Sequence, residues 1–262
     1  MSRVIVITSG KGGVGKTSVT LGIGRGLSAM GCKTLLIDTD MGLNNLDVLM
    51  NVEDRIVFDI SDVADARCRP KQALVEDPEC ENLMVLPSVR GYRKSDISGQ
   101  TLRSVINSLP GFEYVLIDCP AGIELGFHRA VSAASEALVV TTPHISAVKD
   151  AGKVIGILGT YKIEARLVVN RVRGDMVLDG EMASPDDIRR ALGIPLCGVI
   201  PENDEINGLS ANGERPRSGG NGSRAFEMLC RNIVYGTSDI FDFTAGYKGI
   251  FGGIKRALKK HL

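Results

Sequence analysis

With 262 residues, 44% hydrophobic and 24% charged, the chain has apolar material for a substantial core, and α/β domains of this size fold as one unit. Its 31 basic side chains balance 31 acidic ones, and no apolar run reaches the roughly eighteen residues of a helical membrane span, which excludes that class and points to a cytoplasmic protein. The six cysteines are scattered without a C-x-x-C pair, which reads as reduced thiols and disfavours an iron–sulfur carrier.

In chain order, the β-branched run Val4–Ile7 predicts a buried parallel strand, followed by Gly10-Lys11-Gly12-Gly13-Val14-Gly15-Lys16-Thr17. This segment satisfies G-x-x-x-x-G-K-[ST] and carries a second lysine near its start. The glycines let successive backbone N–H groups converge on an anion; Lys16 neutralises the outer phosphates, and Thr17 offers a hydroxyl to Mg²⁺. Ser18 to Met30 predicts a helix whose positive end faces those phosphates. Gly22, Gly24 and Gly26 each cost that helix about 1 kcal/mol, which predicts close approach to the sheet beneath it.

Further apolar runs at 34–37, 83–86, 114–117, 137–140, 166–169 and 196–200 alternate with segments long enough for crossover helices. Helices are predicted over Ser98 to Leu109, Leu125 to Ala134, Ile145 to Leu158, Pro185 to Leu192 and Arg224 to Val234. The expected fold is doubly wound α/β, a mostly parallel sheet flanked by helices. The Gly-, Pro- and Asn-rich stretch Asn212 to Ser223 reads as a mobile loop, and Thr237 to Gly246 as a linker. The organisation expected is a P-loop domain over 1–236, a linker over 237–246 and a C-terminal segment over 247–262.

Two acidic clusters follow strands. Asp38-Thr39-Asp40 places two carboxylates at the carboxyl end of the second strand, one for metal and the other for water. Asp118 follows Leu116-Ile117 in the same way and suits the Mg²⁺ shell, while Gly122 offers a backbone N–H to the γ-phosphate. A turn-forming role for any one of these aspartates is the competing reading.

The C-terminal segment sets Tyr247, Ile250, Phe251, Ile254 and Leu258 on one helical face, with Lys255, Arg256, Lys259 and Lys260 over much of the rest. Residues 247–262 hold five basic side chains and no acidic one, so the remainder of this balanced chain is mildly acidic, which argues against broad nucleic-acid binding by the body. Membrane adsorption fits the segment best, anionic lipid adding about 1 kcal/mol for each nearby cation. A helix docked on the protein's own body, or a nucleic-acid-binding tail, are the other readings.

Lys11 ahead of Gly15-Lys16-Thr17 is the deviant Walker A form, and here the chain resembles the MinD/ParA superfamily of dimeric ATPases. The segments Ile37 to Asp47, Ile117 to Glu124 and Thr141 to Asp150 resemble the MinD branch in order and spacing, with Asn51 standing where relatives often have glycine. The resemblance implies an ATP-bridged homodimer in which Lys11 reaches the nucleotide of the other subunit. It also implies that Asp40 orients the attacking water, that Asp38 and Asp118 surround the Mg²⁺, and that Asn170 reads the adenine edge. Turnover would be slow and partner-stimulated, because no internal arginine finger is evident. The ATP-bound form would sit on the inner face of the plasma membrane, recruit a MinC-like division inhibitor and answer to a MinE-like or other topological factor, with Ser146 to Asp150 a candidate partner contact. A ParA-like ATPase that positions DNA or protein, and an adaptor that holds ATP without turnover, are the alternatives.

Overall fold

The computed structural model describes residues 2–40, 45–89, 97–249 and 252–253. Its centre is an eight-stranded sheet of β1 (Arg3–Thr8), β2 (Thr34–Asp38), β3 (Val75–Glu76), β4 (Leu83–Leu86), β5 (Tyr114–Asp118), β6 (Glu136–Thr141), β7 (Glu164–Val172) and β8 (Leu196–Pro201). The spatial order is β3-β4-β2-β5-β1-β6-β7-β8, and every pairing is parallel except that of the two-residue edge strand β3 with β4. Each strand and helix predicted ahead of residue 237 is present within a few residues of its expected bounds, and helices over Asn45–Met50, Ile60–Ala64, Gly174–Leu178 and Asp204–Asn212 are added.

Alternation along the strands divides the core. Ile5, Ile7, Leu36 and Leu116 point to the face covered by the Lys16–Ala29 and Asn221–Tyr235 helices. Val6, Leu35, Ile37, Val115 and Ile117 point to the other, beneath Gly99–Asn107, Leu125–Ala133 and Ile145–Thr160. Burial on both faces is why these strands read as unbroken apolar runs. Among the described residues, no helix is long and apolar enough to cross a membrane.

The glycines of the first helix are explained differently from the expectation. Only Gly24 meets the sheet, where an added Cβ would lie 2.8 Å from a Leu36 methyl. Gly22 faces the Phe226 ring and Gly26 faces the Cys230 Sγ, so two of the three glycines serve the crossing with the Asn221–Tyr235 helix. Leu209 and Arg215 border the same crossing, and the loop expected over Asn212 to Ser223 is narrowed to 213–220 by the helices on either side.

The segment expected as a linker is docked on the body. Asn232, fully buried, donates from Nδ2 to the carbonyls of Cys197 and Asp239, and its Oδ1 accepts from the Thr237 hydroxyl and the Asp239 N–H. Ile240 and Phe243 pack on a cluster of Leu167, Val169, Val172 and Ile188 at the β7–β8 edge. Gly174 leaves room for the Phe243 carbonyl and the Tyr247 ring. Asp242 accepts from Thr244 and from the Lys248 ammonium, which hold its carboxyl down at about 2. The expected linker therefore leads to the tail along the body, held by buried apolar contacts and one asparagine. Of the predicted amphipathic face, Tyr247 lies in a 3₁₀ turn, while Ile250, Phe251, Ile254 and the positions beyond lie outside the described residues.

Two outcomes follow from this packing. Gly22→Ala is expected to destabilise by about 1–3 kcal/mol in denaturant unfolding, overpacking against Phe226 outweighing alanine's helix preference, and Phe226→Leu is expected to recover part of the loss. Asn232→Ala should accelerate tryptic cleavage at Lys248 and cost about 1–3 kcal/mol for each buried group it leaves unpaired; unchanged cleavage would show that the asparagine does not hold this segment.

Candidate functional site

The site lies where β1, β2 and β5 end on the carboxyl edge of the sheet, the edge at which parallel α/β folds bind ligands. Beyond β1 the chain turns through Gly13 and Gly15, both in the left-handed region at φ 79° and 90°, and enters the Lys16–Ala29 helix. Gly15 stands at the N-cap without a side-chain cap bond, and the first turn carries no acidic residue. The orphan N–H groups of that turn therefore face the loop uncapped, as an anion site requires. An added Cβ on Gly13 would meet nothing within 4 Å and one on Gly12 only Ala121, so the mouth of the loop is open.

Neighbouring residues fix the loop from behind. Ser9 Oγ donates to the Lys11 carbonyl, and Gly10 packs against the backbone of Asp150 too closely for any side chain. Asn170 Nδ2 donates to the Val14 carbonyl at 2.8 Å, and its Oδ1 accepts the Arg171 N–H at 2.9 Å. Asn170 is buried beneath Gly15, and these two bonds leave one amide hydrogen and one lone pair for another partner. The Gly122 N–H, expected to meet the γ-phosphate, donates to the Ser9 carbonyl at 3.2 Å.

Parallel pairing of β2 with β5 places Asp38 directly across from Asp118. Both carboxyls are buried and held above the ordinary aspartate range, first by desolvation, with the Asp118 charge adding to the effect on Asp38. Asp38 accepts the N–H groups of Asp40 and Leu46, at 2.8 and 3.3 Å. Asp118 is stabilised as the anion by the hydroxyls of Thr17 and Thr20 and by the Lys16 charge. Half-buried Asp40 is also raised by desolvation, opposed by Lys16. Two buried carboxylates and the Thr17 hydroxyl form a hard-oxygen donor set whose anionic charge calls for a cation, and this set fits Mg²⁺. Ser18 is buried in the first helical turn.

Lys11 Nζ donates to Ser146 Oγ at 3.2 Å, at the start of the Ile145–Thr160 helix. It borders a cavity of about 320 Å³ shared with Thr142, His144, Ser146 and Arg171. Three large apolar side chains in the segments that follow β5 and β6 are exposed, Ile123 at 40%, Leu125 at 73% and Ile145 at 87%. A second cavity of about 470 Å³, lined by Lys33, Lys71 and Met84, lies at the amino ends of β2 and β4, opposite the loop.

Sequence reasoning missed Thr39, whose hydroxyl donates to the Asp118 carbonyl at 2.6 Å, and Thr20, whose hydroxyl reaches Asp118 Oδ1 at 3.2 Å. Thr20 had a readable signal, since it follows Thr17 by three and Lys16 by four residues on one helical face. Thr39 had none, because only the β2–β5 register brings it to residue 118.

The CobQ/CobB/MinD/ParA nucleotide-binding domain family matches residues 5–216. The septum site-determining protein MinD of Bacillus subtilis is 45% identical over 263 residues, covering 97% of either chain. Among solved structures, the MinD of an Aquifex aeolicus MinC:MinD cell-division complex is similar at 38% identity and a TM-score of 0.82, over 91% of this chain and 97% of that one. The Pyrococcus horikoshii septum site-determining protein MinD, complexed with Mg-ADP, is similar at 31% identity and a TM-score of 0.80, over 89% of this chain and 96% of its own. A P-loop with a second lysine, two strand-end aspartates and likeness along nearly the whole length place this chain in the MinD family, the septum site-determining ATPases of the CobQ/CobB/MinD/ParA group.

Proposed function

We propose that this MinD-type ATPase is a nucleotide-gated dimer that attaches to a membrane through its C-terminal segment, and the observation that carries the reading is the position of Lys11. The Lys11 ammonium is engaged by Ser146, a residue of another element, which supports a role for it toward a nucleotide other than its own subunit's. Exposed Ile123, Leu125 and Ile145, in the segments that follow β5 and β6, offer apolar surface that a second copy would cover.

Within one subunit, the backbone of Gly10 to Gly15 and the first helical turn with Ser18 cradle the phosphates, and Lys16 neutralises them. Thr17, Asp38 and Asp118 hold Mg²⁺, which when bound offsets phosphate charge. Asp40, half-buried beside Lys16, orients the attacking water and accepts its proton. Asn170 reads the adenine edge with the hydrogen and lone pair its loop contacts leave over, and Gly122 serves the γ-phosphate after exchanging its Ser9 partner.

The tail follows from avidity. One short basic amphipathic segment with Ile250, Phe251, Ile254, Lys255, Arg256, Leu258 and Lys259 adsorbs weakly, and two on one dimer adsorb together at high effective concentration. Tyr247, expected on the same face, packs at Gly174 and marks where the segment leaves the body. Docking of 237–248 favours this, because a fixed exit point keeps the two segments from sampling useless separations. ATP thereby sets membrane residence and hydrolysis ends it. The bound dimer recruits a MinC-like inhibitor, a reading supported by the likeness to the MinD of the Aquifex aeolicus MinC:MinD complex, and a MinE-like or other topological factor sets where.

Cosedimentation with anionic vesicles tests the reading. The intact chain is expected to bind in ATP and not in ADP, whereas Lys11→Ala and a truncation after Gly249 lose binding by tenfold or more. Nucleotide-independent adsorption, or ATP-dependent binding to DNA without lipid, would remove it in favour of a ParA-like role. Asp40→Ala is expected to lower phosphate release by about 10²-fold or more while ATP-dependent vesicle binding persists; loss of both together would mean that Asp40 serves nucleotide binding instead.

A further inference from the structure

We infer that Thr20 is a positioning residue for the metal site: its hydroxyl fixes one oxygen of Asp118 and so presents the other to the Mg²⁺ shell. The inference rests on the assignment of Asp118 to that shell. Thr20 is fully buried in the first helix, between Val19 and Leu21, where every neighbour in sequence is apolar or glycine through Gly24. A valine would fill the same volume without a polar group to satisfy, so the hydroxyl has to be offset by a bond.

Its oxygen lies 3.0 Å from the Lys16 carbonyl and 3.2 Å from Asp118 Oδ1, and it has one proton to give. The Lys16 carbonyl sits four residues back and already accepts the Thr20 amide in the helical ladder. Ionised Asp118 is the stronger acceptor, because a hydrogen bond to a carboxylate is charge-assisted. The hydroxyl therefore belongs to Asp118. Thr17, one turn earlier on the same helical face, also favours the ionised Asp118 carboxyl. From the backbone side, the carbonyl of residue 118 is held by both the Thr39 N–H and the Thr39 hydroxyl. With main chain and one carboxylate oxygen held, the carboxylate has little freedom left to rotate, and its second oxygen is the one available to a metal.

Outer partners of this kind set ligand orientation, and their loss lowers metal affinity by about 10–100-fold. The test titrates Mg²⁺ against the full chain with a fluorescent ATP analogue and reads the half-saturating Mg²⁺ concentration beside the nucleotide affinity in EDTA. Thr20→Val is expected to raise the half-saturating Mg²⁺ at least tenfold with the EDTA affinity unchanged, and Thr20→Ser to restore it. Thr20→Ala carries the same expectation should the valine variant fail to fold, as followed by thermal unfolding. An unchanged Mg²⁺ requirement in both variants, or an equal loss of affinity in EDTA, would overturn the role of Thr20 while leaving Asp118 in place. If nucleotide binding by the intact chain shows no Mg²⁺ dependence, the assignment of Asp118 itself fails.

Discussion

Two aspartates buried face to face at the ends of adjacent strands constrain everything around them. Asp38 and Asp118 are drawn together by the β2–β5 register, and each loses hydration that a lone aspartate would keep. Such a pair is costly unless positive charge and donors surround it. The fold supplies them from three directions: Lys16, Thr17 and Thr20 from the first helix, Thr39 against the Asp118 backbone, and the turn amides of Asp40 and Leu46. The remaining cost is a standing demand for a cation, which the Mg²⁺ proposed for this site would meet. Ligand binding and local stability are in this way the same electrostatic problem.

Holding the helix that carries those groups is a packing problem. Its N-terminal turn must stay uncapped to receive phosphate, so its stability has to come from elsewhere. It comes from depth: Gly22, Gly24 and Gly26 let the helix settle against the sheet on one side and the last helix on the other, burying Val19, Leu21, Ile23 and Leu27. The glycines that weaken an isolated helix are what let this one sit close. The Asn221–Tyr235 helix, fixed by that contact, in turn carries Asn232, which holds the chain that leads to the tail.

The legibility of the chain varied with the range of the interaction. Strands such as Leu83–Leu86 and helices such as Pro185–Leu192 fell at their expected bounds, because a short unbroken apolar run and a Ser184-Pro185 start with Asp187 behind it are local signals. Asn51 shows a similar economy, since it adopts φ 54°, a left-handed conformation that asparagine tolerates at a position where relatives often have glycine. The segment 237–246 was legible only as a connection between the body and the tail, and its hold on the body, through Asn232, Ile240 and Phe243, depends on contacts that the spacing of its own residues does not report.

By itself the sequence determined the chemistry and the alternation: a phosphate loop with two lysines, aspartates at strand ends, and apolar runs that had to be buried on both faces. These are encoded in neighbouring residues, whose spacing along a strand or helix sets which way they point. Tertiary structure alone decided that Asp38 would stand opposite Asp118, that Asn170 would clamp the phosphate loop at Val14, and that Phe243 would come to rest against Gly174. Each of those pairs lies far apart in the chain and meets only through strand order and register, which depend on how the whole apolar surface is buried at once.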